Sequence, residues 1–387
     1  MSLRTPLLAL LVAASPVLAA DVASDLTPVV PPDARPVAAA PSTPALTAGR
    51  TNLHASLDET VPALLAEKHV TSVSIAHIAQ AHIDLTVAYG LQDKGVPATP
   101  ASLYNIASLS KPLTAEVVMR LASGKRLSLD EPMYRYWVDP DIAGDERRKQ
   151  LTPRLSLSHR TGFPNWRRET GKVLRFVRDP GGAFGYSGEG FEYLARFAEK
   201  KTATPFETLA QTLVFDPVGM HDTAYTRRPW FDGRIAIPTD AQGNALEPAI
   251  ADHFIASDEV YSTPGDYAKF IVSLLRHEGV GDALAKDRAR IQVSRKAEEC
   301  KPEQHVACPD EIGFGLGWEV YRFGDETILM HTGMDEGVFT LAYVNLAHGN
   351  GTVLFTNSAN GPQIVLPLLE RIGEDRAFVA FLRRTAG

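Results

Sequence analysis

The chain has 387 residues, 44% of them hydrophobic and 22% charged, enough apolar material for one large domain or two closely joined ones. Its formal net charge is −7 and it carries no basic tract or arginine-rich run, which sets nucleic acid aside as a partner.

Residues 1–20 read as an export signal. Arg4 supplies a positive charge, Leu7 to Ala14 form a short apolar core, and Ser15 to Ala20 end in small residues suited to cleavage after Ala19 or Ala20. The apolar run is too short to span a bilayer, and no cysteine stands at its end for a lipid anchor. The expectation is a periplasmic or secreted protein with no stable membrane anchor after signal cleavage. Residues 21–50 are rich in Pro, Ala, Ser and Thr without apolar periodicity and read as a flexible linker.

The folded body is expected over residues 51–387, opening with Leu53, Leu57, Val61, Leu64 and Leu65 at helical spacing. Two strand-like runs, 70–78 and 82–88, are joined by a short polar link, as in an antiparallel hairpin. The stretch from Tyr104 to Ala115 reads as a helix entry, with Pro112 in its first turns and an apolar run over 116–122 behind it. Residues 123–250 are expected to form a mostly helical lobe, with helical periods over 190–198 and 205–213; a clear helix follows over 264–276. Beyond it, the β-branched and aromatic runs 314–321, 326–331, 337–345 and 351–356 read as strands, and one helix from Ile364 to about Leu382 closes the chain. The fold class is therefore α/β of the α+β type: an antiparallel sheet flanked by helices, with the helical lobe beside it. A site between the two would place Ser108 at their junction.

Three stretches can carry chemistry. Ser108 and Lys111 stand three apart, on one face of a helix. A serine hydroxyl becomes a nucleophile when a base takes its proton, and a lysine amine serves when burial or a nearby cation lowers its pKa. Tyr186, in the run from Gly185 to Gly190, can shuttle protons from a polar cleft or merely be half-buried at a helix entry. His331-Thr332-Gly333-Met334 ends a strand: Thr332 offers a hydroxyl, Gly333 allows close approach, and the following N–H can face an oxyanion. His331 is neutral or charged near pH 7. The run from Leu155 to Pro164 joins a short helix to a turn and is assigned to structure. Cys300 and Cys308 are either a local disulfide or two free thiols, and His305 between them makes no recognised metal spacing. No structural metal and no cofactor is expected.

Ser108-x-x-Lys111, Tyr186-Ser187-x and His331-Thr332-Gly333, in this order, resemble the penicillin-binding-protein and class C β-lactamase-related serine hydrolases. Ser158 to Pro164, Tyr261 to Asp266 and Phe314 to Trp318 look like that family's framework segments, so the likeness runs from about residue 53 onward. The resemblance implies Ser108 as acylated nucleophile, Lys111 as its proton acceptor and Tyr186 as partner base and acid to the leaving group. It further implies an oxyanion hole from the N–H groups of Ser108 and Met334, with His331 and Thr332 lining the pocket. Two positions depart. Gly188 stands where the middle motif usually has an asparagine that binds the substrate amide, and His331 replaces the usual lysine. Both point toward the D,D-peptidase and esterase branches: hydrolysis of esters or D-amino-acid amides, or of peptidoglycan-like peptides, with slow β-lactam turnover at most. If His331 carries a charge, it can hold a substrate carboxylate. A binder of cell-wall peptides whose chemistry has lapsed is the alternative. Gly185-Tyr-Ser187-Gly also nearly spells an α/β-hydrolase nucleophile motif centred on Ser187, but no buried parallel strand precedes it.

Overall fold

The computed structural model describes residues 48–300 and 308–386; the expected signal, most of the linker and His305 lie outside them. Helix α1 (Ala48–Lys68) starts three residues earlier than expected, so residues 48–50 belong to it rather than to a linker. Its Leu57, Val61 and Leu65, four apart, form one buried stripe.

Strands β1 (Ser72–Ala79) and β2 (His82–Asp93) make the expected hairpin, and β3 (Val96–Pro97) adds to β2. The short β4 (Tyr104–Asn105) precedes a single 3₁₀ turn, Ala107–Leu109, and then α2 (Ser110–Ser123). Helices α3 (Pro153–Leu157), α4 (Gly188–Thr202), α5 (Phe206–Ala210) and α6 (Asp216–Val218) follow before β5 (Tyr261–Ser262), which pairs with β4. Next come α7 (Pro264–Leu275), α8 (Asp282–Arg288), β6 (Val293–Ser294) and α9 (Lys296–Glu299). The chain ends in β7 (Glu311–Phe314), β8 (Glu319–Phe323), β9 (Glu326–Asp335), β10 (Val338–Asn345), β11 (Asn350–Thr356), α10 (Pro362–Ile372) and α11 (Arg376–Ala386).

Among the described residues nine strands form one antiparallel sheet in the order β3-β2-β1-β11-β10-β9-β8-β7-β6. Side chains alternate across it. Ala342, Val344, Val353 and Phe355 face the core shared with α2, α4 and α7, whereas Leu341, Tyr343 and Leu354 face the core shared with α1, α10 and α11. Helix α2 is buried on all sides, the position of a helix at the centre of a domain. Its interior charge, Glu116, is matched by Arg120 (2.9 Å) and by Arg288 of α8.

Two elements differ from expectation. The run 314–321 is not one strand: it leaves β7 after Phe314 and re-enters as β8 at Glu319. Gly317, at φ +82°, lets this turn press against Ala115 of α2, where a side chain would collide. The closing helix is two, broken where Gly373 (φ 77°) and Asp375 (φ 47°) take left-handed backbone. Cys300 and Cys308 are joined by a disulfide, with Cα atoms 6.1 Å apart.

Candidate active site

Ser108 lies in the 3₁₀ turn just ahead of α2 rather than inside the helix. Ala107, immediately before it, has φ 47°, an unfavourable conformation for a residue with a Cβ. The neighbours hold it there. Asn105 Oδ1 accepts the Ala107 N–H (2.8 Å), the Ser110 hydroxyl donates to the Ala107 carbonyl (2.7 Å), and the Tyr267 hydroxyl donates to the Leu109 carbonyl (3.0 Å). The turn thereby presents a half-buried Ser108.

Lys111, fully buried, donates from Nζ to Ser108 Oγ (2.9 Å) and to the Ser257 carbonyl (2.9 Å). The same Nζ stands 4.8 Å from the centroid of the Tyr186 ring. Thus the three side chains that the sequence pattern singled out, 75 positions apart between Lys111 and Tyr186, meet around one ammonium.

Tyr186 is carried into place by the start of α4. Ser187 is the N-cap of that helix: its Oγ accepts the Gly190 N–H (3.0 Å) and donates to the Pro164 carbonyl (2.7 Å). A buried, doubly engaged cap is not an exposed nucleophile, and the sheet is antiparallel; the α/β-hydrolase reading falls on both counts. Beneath Tyr186 lies His159, its ring stacked on the tyrosine with centroids 4.3 Å apart. Its Nδ1 accepts the Ser187 N–H (3.0 Å), so it carries no proton there; burial, followed by the charge of Lys111, holds it neutral, well below the usual histidine range. The sequence reading assigned this segment to structure and missed that His159 props the tyrosine. The only signal was a histidine preceding Arg-Thr-Gly-Phe-Pro.

Gly188, where the middle motif departs, is not an open gap. A Cβ there would come within 3.0 Å of the Trp166 indole and 3.2 Å of the Asn165 carbonyl. The Gly188 N–H donates to Asn165 Oδ1 (2.9 Å). Trp166 therefore occupies the space that a side chain at 188 would take.

On the sheet side, β8 pairs with β9 only as far as Met330, so among the described residues His331 to Asp335 have no strand partner along that edge. Gly333 lies against the Ser108 turn: a Cβ there would collide with the Ile106 carbonyl and stand 3.0 Å from the Ser108 nitrogen. The Thr340 hydroxyl, donating to the Ile106 carbonyl (2.8 Å), fixes the same approach from β10. Met334 and Thr332 flank Gly333 on this open edge.

His331 corrects an expectation. It is 3% exposed, and burial together with the neighbouring Lys111 pushes it down to about 3. Its Nδ1 lies 2.7 Å from the Thr332 carbonyl, which requires the proton on Nδ1 and leaves Nε2 a bare acceptor without a hydrogen-bond partner among the described residues. It is neutral at pH 7 and cannot anchor a carboxylate by charge. Farther along β9, Asp335 accepts from Asn105 Nδ2 (3.1 Å) and hydrogen-bonds Asp258. Burial raises both carboxyls, and their mutual repulsion adds to this at Asp335. Glu259 is pushed up to about 7 by burial and by Asp258.

A large antiparallel sheet with helices on both faces, one of them a buried helix carrying Ser-x-x-Lys at its entry, is the architecture of the serine hydrolases of β-lactamase type. The chain belongs to the Beta-lactamase family, whose model matches residues 57–374. Among similar proteins, penicillin-binding protein 4 of Amycolatopsis lactamdurans is 25% identical over 83% of this chain and 90% of its own length. The D-alanyl-D-alanine-carboxypeptidase/endopeptidase AmpH of Escherichia coli (strain K12) is 25% identical over 62% of this chain and 66% of its own length. Among solved structures, the D-amino acid amidase from Ochrobactrum anthropi SV3 complexed with L-phenylalanine shares the fold with a TM-score of 0.67 at 20% identity, over 84% of this chain and 99% of that one. Among the described residues no helix is long and apolar enough to cross a membrane.

Proposed function

We propose that the protein is an exported serine hydrolase that works through a Ser108 acyl-enzyme on esters or on D-amino-acid and D-Ala-type amides, with at most slow β-lactam hydrolysis. The observation that carries this reading is Lys111 Nζ, 2.9 Å from Ser108 Oγ and 4.8 Å from the Tyr186 ring centroid. In its neutral form the lysine takes the hydroxyl proton as Oγ bonds to the substrate carbonyl carbon. The N–H groups of Ser108 and Met334 stabilise the oxyanion, and Gly333 lets the substrate carbonyl lie between them. As the tetrahedral species collapses, the carbon–leaving-group bond breaks and Tyr186 delivers a proton to the departing oxygen or nitrogen. Water, deprotonated by the same pair, then releases the acyl group.

The substrate reading draws on the cleft's charge. Neutral His331 supplies no cation for a carboxylate, which disfavours β-lactams. The names of the similar AmpH and D-amino acid amidase support amide substrates. A panel of acyl esters, D-Ala-D-Ala peptides, D-amino-acid amides and penicillins, run on wild type and Ser108→Ala, tests the proposal. Cephalosporin hydrolysis at near-diffusional efficiency overturns its limit on β-lactams. Export is tested by the mature N-terminus of the secreted protein, expected at residue 20 or 21.

A second reading, a catalytically lapsed penicillin-binding-like protein that only holds cell-wall peptides, is favoured by Trp166 filling the space beside Gly188. A burst of p-nitrophenol from a short acyl ester, absent in Ser108→Ala, excludes it.

A further inference from the structure

The segment from Trp166 to Arg178 runs against the charge of the chain. In a protein of net charge −7 it carries Arg167, Arg168, Lys172, Arg175 and Arg178 against a single acid, Glu169. Arg167 is matched by Glu189 (2.8 Å) and Asp139 (3.1 Å), whereas among the described residues the other four make no ion pair. One of the four stands on a cleft. That cleft, of about 330 Å³, has Asn165, Val177, Arg178 and the proposed proton donor Tyr186 among its lining residues.

Arg178 is placed by its backbone and by a bare glycine. Val177 and Arg178 both donate their N–H groups to the Gly162 carbonyl (2.9 and 3.2 Å). The Arg178 guanidinium lies against Gly185, one residue before Tyr186, and a Cβ on that glycine would run into it. Among the described residues the guanidinium makes no hydrogen bond. Asn165 adds a second donor to the same cleft. Its Oδ1 accepts the Gly188 N–H (2.9 Å), which leaves its NH₂ group free of partners among the described residues. Val177, 46% exposed, supplies an apolar wall. The acid on this cleft, Glu169, is exposed and makes no ion pair with Arg178, so it does not neutralise it.

We propose that this cleft is a carboxylate subsite. Arg178, with the Asn165 amide, holds an acidic group of the substrate, and Val177 packs along the chain that leads to it. A guanidinium presents paired N–H donors that match the two oxygens of a carboxylate, and such charge-assisted bonds are the stronger kind. Neither Ser108, Lys111 nor His331 lines the cleft, so it serves a carboxylate set several atoms away from the reacting carbon. The inference rests on the Ser108 acyl-enzyme reading and narrows its substrates to anionic ones. The carboxylate can belong to the acyl portion or to the leaving group, and the test separates the two.

The test compares kcat/KM for charged and neutral esters of matched length. In the acyl arm, mono-p-nitrophenyl adipate and suberate are set against p-nitrophenyl hexanoate and octanoate. In the leaving-group arm, 3-acetoxybenzoate is set against phenyl acetate. Wild type is expected to favour the acid in one arm, and Arg178→Gln to lower that acid-to-neutral ratio about tenfold, the loss of one charge-assisted contact. Arg178→Lys is expected to keep part of the preference. Lys172→Gln, which removes an exposed cation outside the cleft, is expected to keep all of it. A ratio unchanged by Arg178→Gln in both arms, or an equal fall in Lys172→Gln, overturns the subsite while hydrolysis by Ser108 stands. If neutral esters are not hydrolysed, or are hydrolysed equally well by Ser108→Ala, the acyl-enzyme reading fails and the subsite falls with it.

Discussion

The indole of Trp166 lies over Gly188 so closely that a Cβ at 188 would approach it to 3.0 Å. The glycine at 188 and the tryptophan at 166 therefore share one space. Gly188→Asn alone is expected to displace the indole and lower ester kcat/KM. Gly188→Asn with Trp166→Ala restores the room for an amide and is expected to raise turnover of peptide or penicillin amides above that of either single variant. Additive losses in the double variant would show that the two positions are independent.

His159→Ala removes the ring stacked on Tyr186 and the acceptor of the Ser187 N–H, while leaving Ser108 and Lys111 in contact. Misplacing the tyrosine by about 1 Å is expected to lower kcat on the order of a hundredfold with little change in KM. Labelling of Ser108 by a fluorophosphonate should persist, and complete loss of labelling would mean that the whole site had collapsed.

His331 is neutral throughout the working range, so the pH profile of KM for acidic substrates is expected to be the same in wild type and His331→Gln. A dependence near pH 6.5 that vanished in the variant would return the histidine to the role of carboxylate anchor.

Stability is expected to turn over with pH, with opposite flanks owed to different histidines. Burial lowers His77, but Glu374 (3.1 Å) and Asp84 (3.3 Å) outweigh it and raise the ring above 6.5. The folded state holds that proton more tightly, so its stabilisation is present below pH 6.5 and is lost as pH rises through the folded value. Glu259, at about 7, acts in the same sense between about pH 4.5 and 7. His159 and His331 are depressed: the unfolded chain binds protons that the folded one refuses, so their contribution is lost as pH falls below about 6.5. Urea unfolding from pH 4 to 9 measures this, and an unchanged decline above pH 6.5 in His77→Gln would clear His77.

Glu116→Ala strands Arg120 and Arg288 as buried charges without a carboxylate. A loss of about 3–5 kcal/mol is expected, visible as a lower denaturation midpoint. A loss below 1 kcal/mol would mean that the arginines find other partners.

The sheet was legible because its strands are short, β-branched and separated by turns, and α1, α4 and α7 because their apolar residues recur at helical spacing. Gly317 and Gly373 could not be weighed from composition alone, since only the neighbouring backbone shows that a left-handed turn is required there; one strand and one helix were therefore read too long. Ser108, Lys111, Tyr186 and Gly333 stood out because the ordered pattern marks them. His159, Trp166 and the Ser257 carbonyl did not, because their contribution is a contact made across tens of residues. The state of His331 was open in sequence, since burial and the neighbouring Lys111 decide it.

Lys111 Nζ is shared between Ser108, three residues away, and the backbone carbonyl of Ser257, 146 positions along the chain. One lysine thus stitches the entry of α2 to the loop that leads into β5. A molecule in which that loop has undocked has lost the lysine's second anchor, and with it the geometry of the pair. The acylation chemistry proposed for Ser108 would then belong to the assembled molecule alone, so that labelling at this serine would count native molecules as directly as any spectroscopic probe.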